Sequence, residues 1–231
     1  MVAGDKRRAG GIMISRIKID FVSDVSCPWC AIGLSSLDVA LEALRDEVQA
    51  ELHFQPFELN PQMPDEGQDL VEHLSEKYGS SPEQIAQTHE AIRARGAGVG
   101  FIFGQRSRIY NTFDAHRLLH WAELEGRQGE LKRALFRAYF TQGESPASHE
   151  VLLRLAEESG LDVSLAKEIL ASQAYAQEVR ERERFYLDHG IASVPSIIVN
   201  DRHLIQGGQP PEVFEQALRR LAAQQVDDAE A

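Results

Sequence analysis

The two cysteines of this 231-residue chain stand two positions apart, as Cys27 and Cys30. Ahead of them, residues 17–22 alternate apolar and polar side chains and are rich in β-branched residues, which is typical of a strand. Behind them, leucines recur at a spacing that marks one face of a helix; they are Leu34, Leu37, Leu41 and Leu44. The pair therefore lies at a strand-to-helix turn, with the second thiol one turn into the helix.

Two thiols at the start of a helix are suited to thiol–disulfide exchange. Free backbone N–H groups and the helix dipole favour an anion there, so we expect Cys27 to be the attacking thiolate and the more exposed thiol. Cys30, one turn further in, is suited to resolving a mixed disulfide. Pro28 fits the first helical position, and Trp29 offers an aromatic surface to a substrate. The C-x-x-C spacing predicts a catalytic redox motif.

A passive disulfide and half of a zinc site are the other uses of such a pair. A structural zinc ion takes four ligands, so the thiols would need two further groups. His116 and His120, four residues apart on a predicted helix, could supply them. No other metal-binding pattern lies near these histidines, so redox chemistry is the favoured interpretation, and we expect neither a metal nor a cofactor.

The order of the predicted elements indicates the fold. A second short strand at residues 52–54 completes a β-α-β unit with parallel strands. From residue 68 to about 188, helical faces recur and strand signals almost vanish. Strands return at residues 196–199 and 202–205, and a final helix follows. We predict an α/β fold with a mixed sheet, whose β-α-β and β-β-α parts are separated by a large all-helical insertion.

The domain boundaries are predicted from the same order. Residues 14–66 form the N-terminal part of the α/β domain, residues 67–175 the helical insertion, and residues 176–224 the C-terminal part. Residues 1–12 and 225–231 are predicted to be disordered tails, with Met13 as an alternative start.

Charge and hydropathy exclude several classes of partner. The chain has 24 Lys and Arg against 36 Asp and Glu, a formal net charge of −12, which argues against nucleic acid and anionic membranes. Alternating Arg and Glu at residues 178–184 are typical of a solvated helix face. No apolar run is long enough to span a bilayer, and residues 9–14 are too short for a secretory signal. We therefore expect a cytoplasmic protein with reduced, catalytic thiols.

Three further sites have ordinary structural interpretations. Val194 and Pro195 precede the predicted third strand, and because only about 5–6% of X–Pro bonds in folded proteins are cis, the residues alone favour a trans bond. Asp24 fits a turn or cap better than proton transfer. Residues 111–116 fit helix capping and core packing as well as they fit the lining of a cleft.

Several segments together resemble the DsbA family of thioredoxin-fold oxidoreductases, most closely its cytoplasmic FrnE-like branch. They are the segment ending in the C-P-W-C motif and four later ones, in the same order along residues 14–221. The segments are residues 21–30, 56–61, 111–118, 190–195 and 207–210. The resemblance implies a thioredoxin fold interrupted by a helical domain.

The resemblance also implies the composition of the active site. Cys27 and Cys30 would exchange disulfides with protein or small-molecule substrates that contain thiols or disulfides. The Val194–Pro195 bond would be cis and lie beside the thiols, and the backbone of Val194 would pair with substrate in β-like fashion. The substrate-binding residues would be Pro28, Trp29, Val194 and Pro195.

Two alternatives belong to other functional classes. The related 2-hydroxychromene-2-carboxylate isomerases and kappa-class glutathione transferases typically carry Ser at the position of Cys27, and tend to have Asp-Arg where this chain has Gln209 and Pro210. Both differences favour the oxidoreductase. A glutathione-dependent isomerase or transferase, with glutathione as co-substrate, is the first alternative. The second is a non-catalytic, chaperone-like peptide-binding module. Trp29 replaces the His of exported DsbA, so we do not expect a strongly oxidising pair.

Overall fold

A computed structural model describes residues 8–9 and 12–230 of the chain, with side chains described for residues 14–224. The elements as far as the first half of the helical region are β1 (Arg8–Ala9), β2 (Ile12–Met13), β3 (Ser15–Ser23), α1 (Pro28–Ala43), β4 (Val48–Pro56), β5 (Gln68–Asp69), α2 (Leu70–Tyr78), α3 (Pro82–Ala97) and β6 (Arg108–Ile109). The remaining elements are α4 (Phe113–Leu124), α5 (Gln128–Phe136), a π-helical segment (Arg137–Thr141), α6 (His149–Glu158), α7 (Val163–Leu170), α8 (Ala176–Asp188), β7 (Ser196–Val199), β8 (His203–Gln206) and α9 (Pro211–Glu230).

A four-stranded mixed sheet, in the order β4–β3–β7–β8, carries the site. β3 lies in the middle, parallel to β4 and antiparallel to β7. The apolar side chains that alternate along β3 explain its interior position in the sheet, because Ile17, Ile19 and Phe21 share one face of the strand and are all buried. Asn200 and Asp201, with φ values of 54° and 58°, turn β7 into β8. The predicted α/β thioredoxin fold with a mixed sheet is confirmed.

Two large clusters of buried side chains stabilise the two parts of the chain. The first lies under the sheet, where α1 and α9 pack together, and it includes Phe21, Phe214 and both cysteines. The second lies among the helices α4 to α7 and is built on residues such as Leu118. The helical region therefore has an apolar core of its own, as an all-helical insertion requires.

Helix α2 packs in a much smaller cluster of apolar side chains. Its members are Met63, Leu70 and Ile109, with Leu74 packed against them. Next to it, β5 pairs with β6 in an antiparallel ladder of two residues each. We predicted almost no strand in this region, and that prediction missed the ladder because two-residue strands are too short to show an alternating pattern.

The chain ends also differ from the prediction. α9 continues to Glu230, where a disordered tail was predicted for residues 225–231, because extending a helix needs less ordering than starting one. β1 pairs with β2 inside the predicted tail of residues 1–12; residues 1–7, 10–11 and 231 lie outside the described residues. Within the described chain no helix, α9 included, combines the length and apolar character needed to cross a membrane. The domain boundaries at 66/67 and 175/176 stay a prediction.

Polar contacts fix α5 to the sheet and to α1. Gln128 exchanges two hydrogen bonds with the backbone of Phe54 in β4, at 2.8 and 2.9 Å. Arg133 binds the carboxylate of Asp38 in α1 with two nitrogens, at 2.9 and 2.5 Å. Lys132 and Phe136 follow Gln128 at four-residue intervals, so the three share one helix face. That face points into the core beneath α1.

Candidate active site

The cysteines lie at the start of α1, as the sequence predicts. Cys27 occupies the N-cap position with an extended backbone (φ −89°, ψ 113°), and Pro28 begins the helix. The backbone N–H of Cys30 donates to the carbonyl of Cys27 at 3.1 Å, which closes the first turn. The Cys27 side chain makes no capping hydrogen bond, and both thiols are free. The sulfur at the helix mouth is therefore available for chemistry.

The two cysteine side chains differ in solvent exposure less than we expected. Cys27 is 3% exposed and Cys30 is fully buried, so the attacking position is the more exposed of the two by a small margin only. The reason is that Cys27 packs into the core under the sheet and opens only into a cleft. Trp29, by contrast, is 40% exposed and stands at the rim. A reactant must enter the cleft to reach a sulfur.

The Val194–Pro195 segment faces Cys27 from across the cleft. Its peptide bond is cis, the conformation that the resemblance implies. The Cys27 thiol donates to the carbonyl oxygen of Val194 across 3.8 Å. The sequence-distant residues Cys27, Val194 and Pro195 are thus brought together at one end of the sheet.

Two glycines allow this close approach. A Cβ atom on Gly33 would lie 3.1 Å from the Pro195 ring and 3.3 Å from the backbone of Gly208. A Cβ atom on Gly208 would lie 2.9 Å from the carbonyl oxygen of Trp29. Gly208, shortly before α9, therefore packs directly against the helix that carries the thiols.

Asp24 organises the turn that leads into the motif. Its carboxylate accepts hydrogen bonds from the backbone of Ser26 (3.1 Å), the Ser26 hydroxyl (2.8 Å) and the backbone of Leu59 (2.7 Å). His116 faces it with Nε2 at 3.6 Å, and both side chains are buried. Burial opposes ionisation, but the facing His116 and the N–H donors outweigh it and lower the pKa of Asp24 to about 2. The turn interpretation is confirmed.

The other residues predicted near the cleft have structural contacts. The Asn111 side chain, one residue before the N-cap Thr112 of α4, accepts a hydrogen bond from the backbone N–H of Phe113 at 2.8 Å and donates one to the carbonyl of Met63 at 2.9 Å. His120 packs on the ring of Tyr175. Within residues 14–224, no cluster of three or more His, Cys, Asp or Glu side chains could hold a metal ion.

Lys132 is the residue that the sequence interpretation missed. It is fully buried on α5, its Nζ has no hydrogen-bond partner among the described residues, and it lies 4.9 Å from the Phe136 ring centroid. Burial lowers the pKa of Lys132 to about 8, against the pull of Cys30, Asp24 and Cys27. Leu131 and Leu135 suggested a different buried face, so Lys132 looked exposed. Its four-residue spacing to Phe136 was the available signal.

Cys30 and Lys132 affect each other electrostatically. Burial raises the pKa of the Cys30 thiol well above its usual value, and Cys27 raises it further. The positive charge of Lys132 acts in the opposite direction. Cys30 is therefore held as a thiol in the resting protein, and Lys132 is the cation that favours its ionisation.

The alternating charges at residues 178–184 are not simply a solvated helix face. Glu183 is buried, and Arg180 binds both Glu183 and the buried carboxylate of Glu58. The Arg180 guanidinium also lies 3.8 Å from the ring centroid of Phe113. That interpretation was wrong for the buried Glu183, because the charge pattern did not show that this helix face meets the segment after β4. Arg180 stays exposed while it makes these ion pairs.

A cleft of about 400 Å³ opens above Cys27. We call it the thiol cleft. Its floor is formed by the motif and Val194, and its outer wall by α2, α3 and the segment before β6. Its lining includes Cys27, Trp29, His73, Tyr78, Ile92, Arg106 and Val194. The volume and the mixed lining are those of a small-molecule site.

The family model of the DSBA-like thioredoxin domain matches residues 18–219 of this chain. The chain therefore belongs to this family of thioredoxin-fold oxidoreductases. A curated relative, the uncharacterized protein YwbO of Bacillus subtilis (strain 168), is 29% identical over 203 residues, which cover 87% of this chain and 96% of YwbO.

Solved structures of other proteins are also similar to this one. The crystal structure of a probable DsbA oxidoreductase from Streptomyces coelicolor is 36% identical, with a TM-score of 0.82, over 88% of this chain and 89% of that chain. The cytosolic disulfide reductase DsbM from Pseudomonas aeruginosa, solved with GSH, is 19% identical, with a TM-score of 0.60, over 88% of this chain and 98% of that chain. The second likeness shows a shared fold.

Proposed function

We propose that this protein is a thiol–disulfide oxidoreductase in which Cys27 attacks and Cys30 resolves. The observation that carries the proposal is the position of the Cys27 sulfur, at the start of α1 and on the floor of the thiol cleft, facing the Val194 carbonyl. Cys30 lies one turn behind and is closed to solvent. A disulfide in the cleft would therefore meet Cys27 first.

The exchange proceeds in two displacements. The Cys27 thiolate attacks one sulfur of a substrate disulfide, which forms a mixed disulfide and releases the first substrate thiolate. Cys30 then loses its proton and attacks the Cys27 sulfur, which releases the second thiolate and leaves a Cys27–Cys30 disulfide. The substrate gains two electrons and the cysteine pair loses two. Run in reverse, the oxidised pair forms a disulfide in a dithiol substrate.

The residues around the sulfur have separate roles in this proposal. Pro28 shapes the helix mouth, and Trp29 offers its exposed ring to the substrate. Val194 presents its backbone to an extended substrate segment, and Pro195 packs on α1 at Gly33. The substrates are proteins or small molecules with thiols or disulfides.

Glutathione as co-substrate and a cytoplasmic location complete the proposal. The DsbM structure, described as a cytosolic reductase with GSH, supports both. A thiol–disulfide enzyme in the cytoplasm works against a pool of reduced thiols, which keeps free cysteines such as these reduced at rest.

The test compares the protein with Cys27→Ser and Cys30→Ser in dithiothreitol-driven reduction of insulin, followed by turbidity. We expect the wild type to accelerate precipitation and Cys27→Ser to match the blank. Cys30→Ser should accumulate a mixed disulfide on Cys27, detected by mass under non-reducing conditions, because the resolving thiol is absent.

Two outcomes would overturn the proposal. Equal activity in the wild type and Cys27→Ser would remove the nucleophile from the mechanism. Tight glutathione binding, with a conjugation or isomerisation activity that survives in Cys30→Ser, would favour the transferase or isomerase class instead. Thermal unfolding of both variants checks that the serine substitutions leave the fold intact.

A further inference from the structure

A second cavity adjoins the thiol cleft. It measures about 380 Å³, and we call it the side cavity. His89, Ile92 and Arg106 line both spaces and form the wall between them. Beyond this wall, Arg93 and Gln105 line the side cavity. Cys27 and Arg106 both line the thiol cleft, so a ligand that fills the cleft meets both residues.

The charge of this lining is opposite to that of the whole chain. Acidic residues outnumber basic ones by 36 to 24. Yet among the described residues that line the two cavities there is no Asp or Glu, while Arg93, Arg106, His73 and His89 are present. Burial, Arg106 and Arg93 together lower the pKa of His89, as expected where positive charge concentrates. A negative group is the complement of such a lining.

Arg106 is held in place but is not neutralised. Its Nη1 donates to the Tyr139 hydroxyl at 2.8 Å, and its guanidinium lies about 5 Å from the ring centroids of Tyr139 and Phe140. Within the described part of the chain, no carboxylate lies within ion-pair distance of it, whereas Arg93 pairs with Glu90 at 2.6 Å. A guanidinium has five N–H donors, so most of the donors of Arg106 are free for a ligand.

We propose that the thiol cleft selects low-molecular-weight thiols and disulfides that carry a carboxylate, and that Arg106 binds this carboxylate while the ligand's sulfur lies at Cys27. The inference rests on the proposed function and adds the substrate class to it. Arg106 acts on specificity and takes no part in the bond exchange. The size of the cleft fits a small molecule, and the planar guanidinium fits a carboxylate with two parallel hydrogen bonds.

The test uses three small disulfides that differ in charge: 3,3′-dithiodipropionate (anionic), 2-hydroxyethyl disulfide (neutral) and cystamine (cationic). The pre-reduced protein is mixed with each in stopped flow, and oxidation of the cysteine pair is followed by tryptophan fluorescence and by thiol titration. We expect Arg106→Gln to slow the reaction with the anionic disulfide by about tenfold or more, the size of one lost charge-assisted interaction. Arg106→Gln should react with the neutral disulfide at a rate within about twofold of the wild-type rate. It should react with cystamine no more slowly than the wild type does.

Matched variants separate charge from structure. Arg106→Lys keeps the charge and should retain part of the preference for the anion. Arg45→Gln, whose exposed side chain lies beyond the end of α1 and lines neither cavity, should leave all three rates nearly unchanged. Equal rates for the anionic disulfide in the wild type and Arg106→Gln would overturn the inference, and so would an equal fall with all three disulfides. A wild type that reacts with none of them at Cys27 would instead overturn the proposed function.

Discussion

Arg133 of α5 binds Asp38 of α1 through two nitrogens, and so joins the helical region to the helix that carries both cysteines. The two side chains are a little over one-third exposed. A bidentate pair between two separate helices orders more of the structure than a surface pair within one helix.

The first prediction concerns this pair. Arg133→Ala and Asp38→Ala should each lower the free energy of unfolding by about 1 kcal/mol. The double variant should lose less than the sum of the two single losses, because each single variant already removes the same interaction. Urea unfolding measures the three values. The control is Arg45→Ala, whose exposed pair with Glu42 lies at the C-terminal end of α1; it should change stability by less than about 0.5 kcal/mol. Fully additive values would show that the contact contributes nothing.

The second prediction concerns Gly208. An alanine there places a methyl group 2.9 Å from the carbonyl oxygen of Trp29, so the start of α1 must shift. Gly208→Ala should cost about 1–3 kcal/mol of stability and slow the reaction of Cys27 with iodoacetamide. Gly98→Ala is the matched control, because its Cβ atom would meet neighbouring backbone at an ordinary 3.4 Å. A stable Gly208→Ala variant with unchanged alkylation would contradict the close packing.

The third prediction concerns Asp24. Its pKa is about 2 in the folded protein against a usual 3.8, so its stabilisation is complete above pH 4 and is lost as the pH falls from about 4 to 2. Asp24→Asn should therefore be less stable than the wild type by about 2 kcal/mol at pH 7, and the gap should close towards pH 2. Urea unfolding across this range measures it. The exposed Asp46→Asn should show no such gap, and a pH-independent gap for Asp24→Asn would show that lost packing, not charge, is responsible.

The fourth prediction concerns Lys132. Its pKa is about 8 when folded against 10.5 when unfolded, so its destabilising effect is complete below pH 8 and is relieved as the pH rises from 8 to 10.5. Lys132→Met should raise stability at pH 7 by about 1–3 kcal/mol and remove that pH dependence.

The same variant should raise the pKa of Cys30, because the cation that favours its thiolate is gone. Alkylation of Cys30 in a Cys27→Ser background, measured against pH, would show the shift. Lys167→Met on the other side of the helical region serves as control. Greater stability together with faster alkylation of Cys30 would contradict the electrostatic link.

The sequence predicted the features that depend on short, regular patterns. Strand alternation at Ile17–Phe21 and leucine spacing after Cys30 located the β-α turn, and the order of elements predicted the mixed sheet. The position of Val194 and Pro195 beside Cys27 came from the resemblance alone, because residues so far apart in sequence have no local pattern in common.

The features that the sequence did not show arise from packing between distant elements. The burial of Lys132 depends on how Gln128 and Arg133 attach α5 to the sheet and α1, and neither contact has a local pattern. The pairing of Arg180 with Glu58 likewise depends on α8 meeting the segment after β4. Lysine and glutamate side chains are usually exposed, but the tertiary contacts bury Lys132, Glu58 and Glu183.

The difference in size between the apolar clusters has a mechanical consequence. The floor of the thiol cleft rests on the sheet and its large core, whereas α2, in the outer wall, is supported by the small cluster around Leu70 and Ile109. Local opening is easiest where few apolar contacts are broken. We therefore expect amide hydrogen exchange to begin in α2, so that the entrance can widen for a bulky reactant while the sulfurs and Val194 keep their spacing.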